Sequence, residues 1–67
     1  MMLKIELERE SDGRWIAEVL DLPGVLAYGR TREDAFANAQ ALALHVVADK
    51  MEHGELSPGP VISFEAA

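Results

Sequence analysis

The side chains best suited to chemistry are carboxylates and histidines on two predicted elements. Glu6, Glu8 and Glu18 share one face of a predicted β-hairpin. Neighbouring carboxylates can bind magnesium or share protons. Acidic residues at alternate positions are equally typical of any solvated strand face. We favour the solvated interpretation and keep a magnesium-dependent nuclease as an alternative.

A second set lies on a predicted helix, where His45, Asp49 and His53 are four residues apart. This spacing can bring metal ligands together, but no fourth ligand is evident and the chain contains no Cys. The serines lie in no recognisable activating motif. We therefore expect these polar side chains to be solvated, and the protein to have no catalytic residue, metal or cofactor.

The charge balance favours a protein partner over a nucleic acid. Twelve acidic residues against six basic ones give a net charge of −6, which a phosphate backbone would repel. A basic protein is the more natural partner, because complementary charge speeds the encounter and disfavours wrong partners. The alternative is that the negative charge only keeps the protein soluble.

The length predicts one domain, residues 1–67, and the 49% of apolar residues suffices for a core. So short a chain buries little of its surface, and without Cys no disulfide can brace it. We therefore expect a homo-oligomer, either a dimer or a tetramer. The apolar runs are too short to span a membrane and the N-terminus lacks a signal-peptide core, so we expect a cytoplasmic protein.

Hydrophobic periodicity predicts an antiparallel hairpin. Residues 3–9 and 14–20 alternate apolar and polar side chains around a turn at residues 11–13. One register places the regular apolar positions on a single face. The opposite face then carries Glu6, Glu8, Ile16, Glu18 and Leu20. A second turn at residues 21–24 leads to a short third strand, residues 25–28, whose buried face the sequence leaves open.

A long helix follows, with Thr31 as its N-cap and Gly54 as its C-terminal stop. Its broad apolar face, predicted to cover the sheet, comprises Ala35, Phe36, Ala39, Leu42, Ala43, Val46 and Val47. A smaller apolar stripe beside it comprises Ala37, Ala41, Leu44, Ala48 and Met51. Because covering a sheet needs only one stripe, we predict that the second contacts a partner or a second copy. The alternative is that alanine is simply a good helix former and the larger side chains lie at the edge of the core.

The rest of the chain predicts where the last strand joins the sheet. A connector at residues 55–60 contains prolines, which are incompatible with a helix and with a central strand of a sheet. We predict that residues 61–64 then form a last short strand. A chain returning over a sheet through a helix normally adds its next strand parallel to one already there. We therefore predict an α+β fold, β-β-β-α-β, with sheet order 3-2-1-4 and one helix packed on one face.

The ordered motifs along the chain resemble the HicB-like antitoxin family. The resemblance is carried by residues 12–19, by Asp21, Leu22, Pro23 and Gly24, by Gly29, Thr31, Glu33 and Ala35, and by Asn38 and Ala39. Each piece is common alone, whereas the ordered set is fairly specific and covers nearly the whole chain.

The resemblance implies a partial ribonuclease-H-like fold, self-association, and a partner of the HicA type. Such a partner is a small basic ribonuclease that cuts messenger RNA, and the antitoxin neutralises it by covering it. Many members of the family carry a C-terminal DNA-binding domain. Since this sequence stops at Ala67, we expect a stand-alone member that does not bind operator DNA.

Two surfaces are candidates for the toxin contact, namely the acidic sheet face and the second stripe of the helix. The alternative function is a self-assembling regulatory or structural module of the same fold that has no toxin partner. Neutralisation of a neighbouring small basic gene product distinguishes the two functions.

Overall fold

The computed structural model describes residues 1–57, 59 and 61–67, so that Pro58 and Pro60 of the predicted connector lie outside the described residues. The elements are β1 (Met2–Arg9), β2 (Trp15–Val19), β3 (Leu26–Gly29), α1 (Arg32–Glu52) and β4 (Ser63–Ala66). The strands form one sheet in the order β3-β2-β1-β4, with β4 parallel to β1. The predicted α+β fold, strand order and single helix are confirmed. Within the described ranges, no helix is long and apolar enough to cross a membrane.

The register of the hairpin separates an apolar face from a polar one. Ile5 lies opposite Val19 and Leu7 lies opposite Ala17, so these side chains point to the helix side of the sheet. Ile5, Ala17 and Val19 are buried and belong to the core under α1. Glu6 lies opposite Glu18 on the other side, which is the predicted pairing.

The turn after β2 holds both neighbouring strands in place. The backbone N–H of Val25 donates to the carbonyl of Leu22 at 3.1 Å, and Gly24 takes a φ of +83°. A positive φ at this corner of a turn favours glycine. The Asp21 carboxylate accepts a hydrogen bond of 2.8 Å from the backbone N–H of Lys4, so it ties the turn to β1.

The helix starts and packs through small residues. The Thr31 hydroxyl accepts a hydrogen bond of 3.0 Å from the Asp34 backbone N–H, as predicted for an N-cap. The start of α1 approaches the end of β3 so closely that a Cβ on Gly29 would lie 2.8 Å from the Ala35 Cα. The buried ridge of the helix comprises Ala35, Ala39, Ala43 and Val47.

Two sequence predictions are wrong in detail. The last strand begins at Ser63 rather than at residue 61, because its ladder with β1 starts where Ser63 pairs with Met2. Val61 instead accepts a hydrogen bond of 2.7 Å from the N-terminal ammonium of Met1. Leu42, assigned to the sheet-covering face, is 37% exposed. The buried ridge follows positions four residues apart, so Leu42 falls on the flank of the helix instead of beneath it.

Candidate protein-binding surface

The sheet face opposite α1 is free of any packed helix or strand among the described residues. We call it the open sheet face. It carries Met2, Lys4, Glu6, Glu8, Ile16, Glu18, Leu20, Leu26, Tyr28 and Glu65. The predicted candidates Glu6, Glu8, Glu18 and Leu20 are exposed and Ile16 is half-buried, so all five come together on this one surface.

Carboxylates dominate the middle of the open sheet face. Glu6 lies directly opposite Glu18, and Glu8 follows on the same side of β1. Like charges placed opposite each other across two strands destabilise the sheet. Within the part of the chain that the structure describes, neither Glu6 nor Glu18 forms an ion pair. The open sheet face therefore has an excess of negative charge, with the carboxylates of Glu6, Glu8, Glu18 and Glu65 against the single ammonium group of Lys4.

Large apolar side chains interrupt the carboxylates. Leu20 is 45% exposed and Tyr28 is 42% exposed on the open sheet face, and Leu26 and Met2 are exposed there as well. A solvated sheet face usually presents polar side chains, whereas clustered apolar groups ringed by charges are typical of protein contact surfaces. Apolar groups of this kind supply contact area, and the carboxylates around them supply charge selectivity.

The two β3 residues of this surface were not identified from the sequence. Ala27 lies opposite Ala17 in the sheet, so Ala27 and Gly29 face the helix and Leu26 and Tyr28 face outward. The sequence did contain a signal, namely the small size of Ala27 and Gly29, because the crowded start of α1 admits only small side chains on its side of β3.

Tyr28 and the turn before β2 form one margin of the open sheet face. The guanidinium carbon of Arg14 lies 4.6 Å from the centroid of the Tyr28 ring, within the range of a cation–π contact. Arg14 donates to Asp12 through its backbone N–H at 3.0 Å and through Nε at 2.8 Å. Hydrogen bonds from Arg14, first from its backbone and then from its side chain, lower the pKa of Asp12. Arg14 thus pairs with Asp12 in the turn and forms no ion pair with Glu6 or Glu18.

The second apolar stripe of the helix lies on the other side of the molecule. Ala37, Ala41, Leu44, Ala48 and Met51 are all exposed on α1. Because α1 packs on the face of the sheet opposite the carboxylates, this stripe and the open sheet face cannot be parts of one contact. The two surfaces predicted as contacts are therefore separate sites.

The residues considered for metal binding are placed as ordinary surface groups. The His53 Nδ1 lies 2.7 Å from the Asp49 carbonyl and 3.5 Å from an Asp49 carboxylate oxygen, at the end of α1. Among residues 1–57, 59 and 61–67, no group of three or more His, Asp or Glu side chains could hold a metal ion. The histidine thus contacts the last turn of the helix.

An open groove of about 410 Å³ lies at the end of the sheet remote from the hairpin turn. Its lining is largely apolar, including Leu3, Leu22, Val46 and Leu56, with Asp21 among its polar residues. The Asp21 carboxylate is already engaged by the Lys4 N–H. Nothing in this lining resembles a nucleophile held beside a general base.

Comparison of the chain with known proteins adds no further ground for a function. No family model matches it, and neither the curated proteins nor the solved structures gave a match. The function must therefore be argued from the surfaces of the molecule and from the motifs in its sequence.

Proposed function

We propose that this protein is a HicB-like antitoxin module, acting in the cytoplasm, that neutralises a small basic HicA-type mRNA-cleaving toxin by covering it. The open sheet face is the surface that contacts the toxin. In this proposal the protein has no catalytic role, and it acts by occupying the toxin surface that would otherwise reach RNA.

The observation that carries the proposal is the mixture of charge and apolar area on the open sheet face. Glu6, Glu8 and Glu18 offer an excess of negative charge, and Leu20 and Tyr28 offer exposed apolar area beside it. A ribonuclease must present positive charge to bind the RNA backbone. A surface that attracts this charge and then excludes water competes directly with RNA for the toxin.

The motif residues support the proposal through the scaffold they build. Asp21 ties β1 to the turn, Gly24 takes the positive φ of that turn, and Thr31 caps the helix. Gly29 allows the helix to start against the end of β3. Each of these positions serves the fold, so the resemblance to the HicB-like family concerns the scaffold and the surface residues determine the partner.

Co-expression tests the proposal directly. The product of an adjacent gene, short and rich in Lys and Arg, is induced alone and then together with this chain. We expect growth arrest in the first case, rescue in the second, and a complex of the two proteins on gel filtration. Failure of both rescue and complex formation would overturn the proposal.

Charge reversal on the surface makes the test specific. Glu6→Lys combined with Glu18→Lys is expected to abolish rescue, because it places four units of charge change at the proposed contact. Glu52→Lys combined with Glu55→Lys is the matched control, since it makes the same charge change at the C-terminal end of α1, where the helix dipole tolerates cations, and away from the open sheet face. Equal loss of rescue in both double variants would show that overall charge, rather than this surface, is responsible.

The alternative function, a self-assembling module without a toxin partner, is favoured by one observation. Leu44 and Met51 expose apolar area on a surface separate from the carboxylates. A stable homo-oligomer that binds no basic protein, and whose open sheet face tolerates charge reversal, would support this alternative over the antitoxin.

A further inference from the structure

A groove lies between the turn after β2 and the C-terminal half of α1. Leu22 and Val25 of the turn and Val46 of the helix form much of its apolar floor. Two adjoining hollows, of about 410 and 510 Å³, share Pro23, Val25, Val46, Lys50 and Glu55, so they form one continuous depression. We call this depression the turn groove. Each hollow falls within the size range of ligand-binding clefts.

Backbone hydrogen bonds fix the wall that the turn contributes. The Leu22 N–H donates to the Val19 carbonyl at 3.1 Å, and the Val25 N–H donates to the Leu22 carbonyl at the same distance. Pro23, between them, has its φ fixed by its own ring. This proline is exposed and lies outside the core, so it forms a rigid apolar edge of the turn groove.

The end of α1 fixes the opposite wall. The Glu55 N–H donates to the Lys50 carbonyl at 2.8 Å and the Gly54 N–H donates to the Met51 carbonyl at 3.1 Å, which is the Schellman pattern of a helix end. The motif turns the chain back, and Leu56 lines the turn groove as a result. Because both walls are held before a ligand arrives, binding costs little conformational entropy.

Carboxylates lie at both ends of the turn groove. Asp21 lines the hollow next to the N-terminus, Asp49 lines the other hollow, and Glu55 lines both. All three side chains are exposed. Within the part of the chain that the structure describes, Asp21 and Glu55 form no ion pair, and Asp49 pairs only with His53. These carboxylates attract cationic groups of a ligand to either end of the apolar floor.

The cationic groups at the turn groove are fewer. Lys50 lines both hollows with a half-buried side chain. Met1 lines one hollow, and its N-terminal ammonium group donates to the Val61 carbonyl at 2.7 Å. Three carboxylates against these two ammonium groups leave a small excess of negative charge, in a chain whose net charge is −6. Both the local and the overall charge favour a cationic ligand over an anionic one.

We infer that the turn groove binds an extended basic peptide segment, with apolar side chains on the floor and Arg or Lys side chains at the carboxylates. In an extended segment, side chains two residues apart point to the same side and lie about 7 Å from each other. Two apolar side chains at this spacing occupy the two hollows, while the flanking basic side chains reach the ends. Long basic side chains are flexible enough to do so.

The turn groove is distinct from the surface proposed for the toxin. Among the residues of the open sheet face, Met2 alone also lines the turn groove. The carboxylates of the two surfaces are different groups, since Glu6 and Glu18 line neither hollow. The peptide site therefore adds a second binding activity to the protein and does not depend on toxin neutralisation.

An NMR titration of the isotopically labelled protein with synthetic peptides tests the inference. The probe is acetyl-Arg-Leu-Ser-Leu-Arg-amide. It is expected to cause saturable shift changes, in the millimolar range, at the backbone amides of Leu22, Val25, Val46 and Leu56. A peptide with Glu in place of both Arg residues, and one with Ser in place of both Leu residues, should bind about tenfold more weakly or worse.

Two charge reversals near the end of α1 provide matched variants. Glu55→Lys changes a carboxylate that lines both hollows, whereas Glu52→Lys makes the same change at an exposed position that lines neither. Glu55→Lys should raise the dissociation constant of the probe about fivefold, because an attraction becomes a repulsion, and Glu52→Lys should raise it less than about twofold. Circular dichroism checks that both variants are folded.

Three outcomes would overturn the inference. They are the absence of saturable shift changes, changes confined to the neighbourhood of Glu6 and Glu18, and equal weakening by Glu55→Lys and Glu52→Lys. None of them bears on the antitoxin proposal. A chain that binds the probe in the turn groove but rescues no toxin would overturn that proposal alone, and a chain that rescues but binds no probe would overturn only the peptide site.

Discussion

Reversing one charge on the open sheet face should make the fold more stable while removing its proposed function. Glu18 lies directly opposite Glu6, and directly opposed side chains are about 5 Å apart. Two charges at this distance in water repel by about 0.8 kcal/mol, which physiological salt reduces to about 0.4 kcal/mol. Glu18→Lys turns the repulsion into an attraction of similar size. The free energy of unfolding should therefore rise by about 0.8 kcal/mol.

A second substitution provides the control for net charge. Glu65 lies opposite Lys4 on the same face, so Glu65→Lys makes the same change in net charge but replaces an attraction with a repulsion. It should lower the free energy of unfolding by a similar amount. The free energies of unfolding of Glu18→Lys and Glu65→Lys should then differ by about 1.6 kcal/mol, which corresponds to roughly 6 to 13 °C in melting temperature.

Urea unfolding of both variants at one protein concentration measures this difference. A fixed concentration is needed because association contributes to apparent stability. The difference should shrink in high salt, where the exposed charges are screened. If Glu18→Lys is no more stable than Glu65→Lys, or if salt leaves the gap unchanged, the cross-strand repulsion is not what the geometry indicates. Loss of toxin binding in the more stable Glu18→Lys variant would show that function maintains the repulsion.

Three further predictions concern the scaffold. Gly29→Ala should lower the free energy of unfolding, measured in urea, by about 1 to 3 kcal/mol, because a Cβ would overpack against the start of α1, and Gly29→Asn should be no more stable. At Gly24 the limit is a positive φ, which Asn tolerates, so Gly24→Asn should lose less stability than Gly24→Ala. Thr31→Ala should lower the free energy of unfolding by about 1 kcal/mol and Thr31→Ser should restore most of it, since only a side-chain oxygen caps the helix. The pKa of Asp12 lies below its ordinary value because of hydrogen bonds from Arg14, so its contribution to stability is present at neutral pH and is lost as the pH falls through the lowered pKa. An NMR titration of Asp12 checks the pKa, and the stability deficit of Asp12→Asn should vanish in acid.

The sequence by itself determined those features that depend on near neighbours along the chain. Alternation over residues 3–9 and 14–20 specifies the hairpin register, because a shift by one residue would bury Glu18. The turn after β2, the Thr31 cap and the long helix follow from local backbone chemistry and appear where they were predicted. The strand order follows as well, since a crossover through one helix has a preferred hand.

Only the tertiary structure decided which way the short strand β3 faces and which flank of α1 carries each of its exposed leucines. β3 has four residues, too few for alternation to choose a side, and its pairing with β2 turns Leu26 and Tyr28 outward. Leu42 and Leu44 are the same residue type on one helix, and the position of β3 determines which flank each occupies. The direction in which these side chains face depends on contacts between residues distant in sequence, so no local sequence pattern predicts it. The open sheet face and the exposed position of the second apolar stripe of the helix are therefore determined by packing, although the residues of both are known from the sequence.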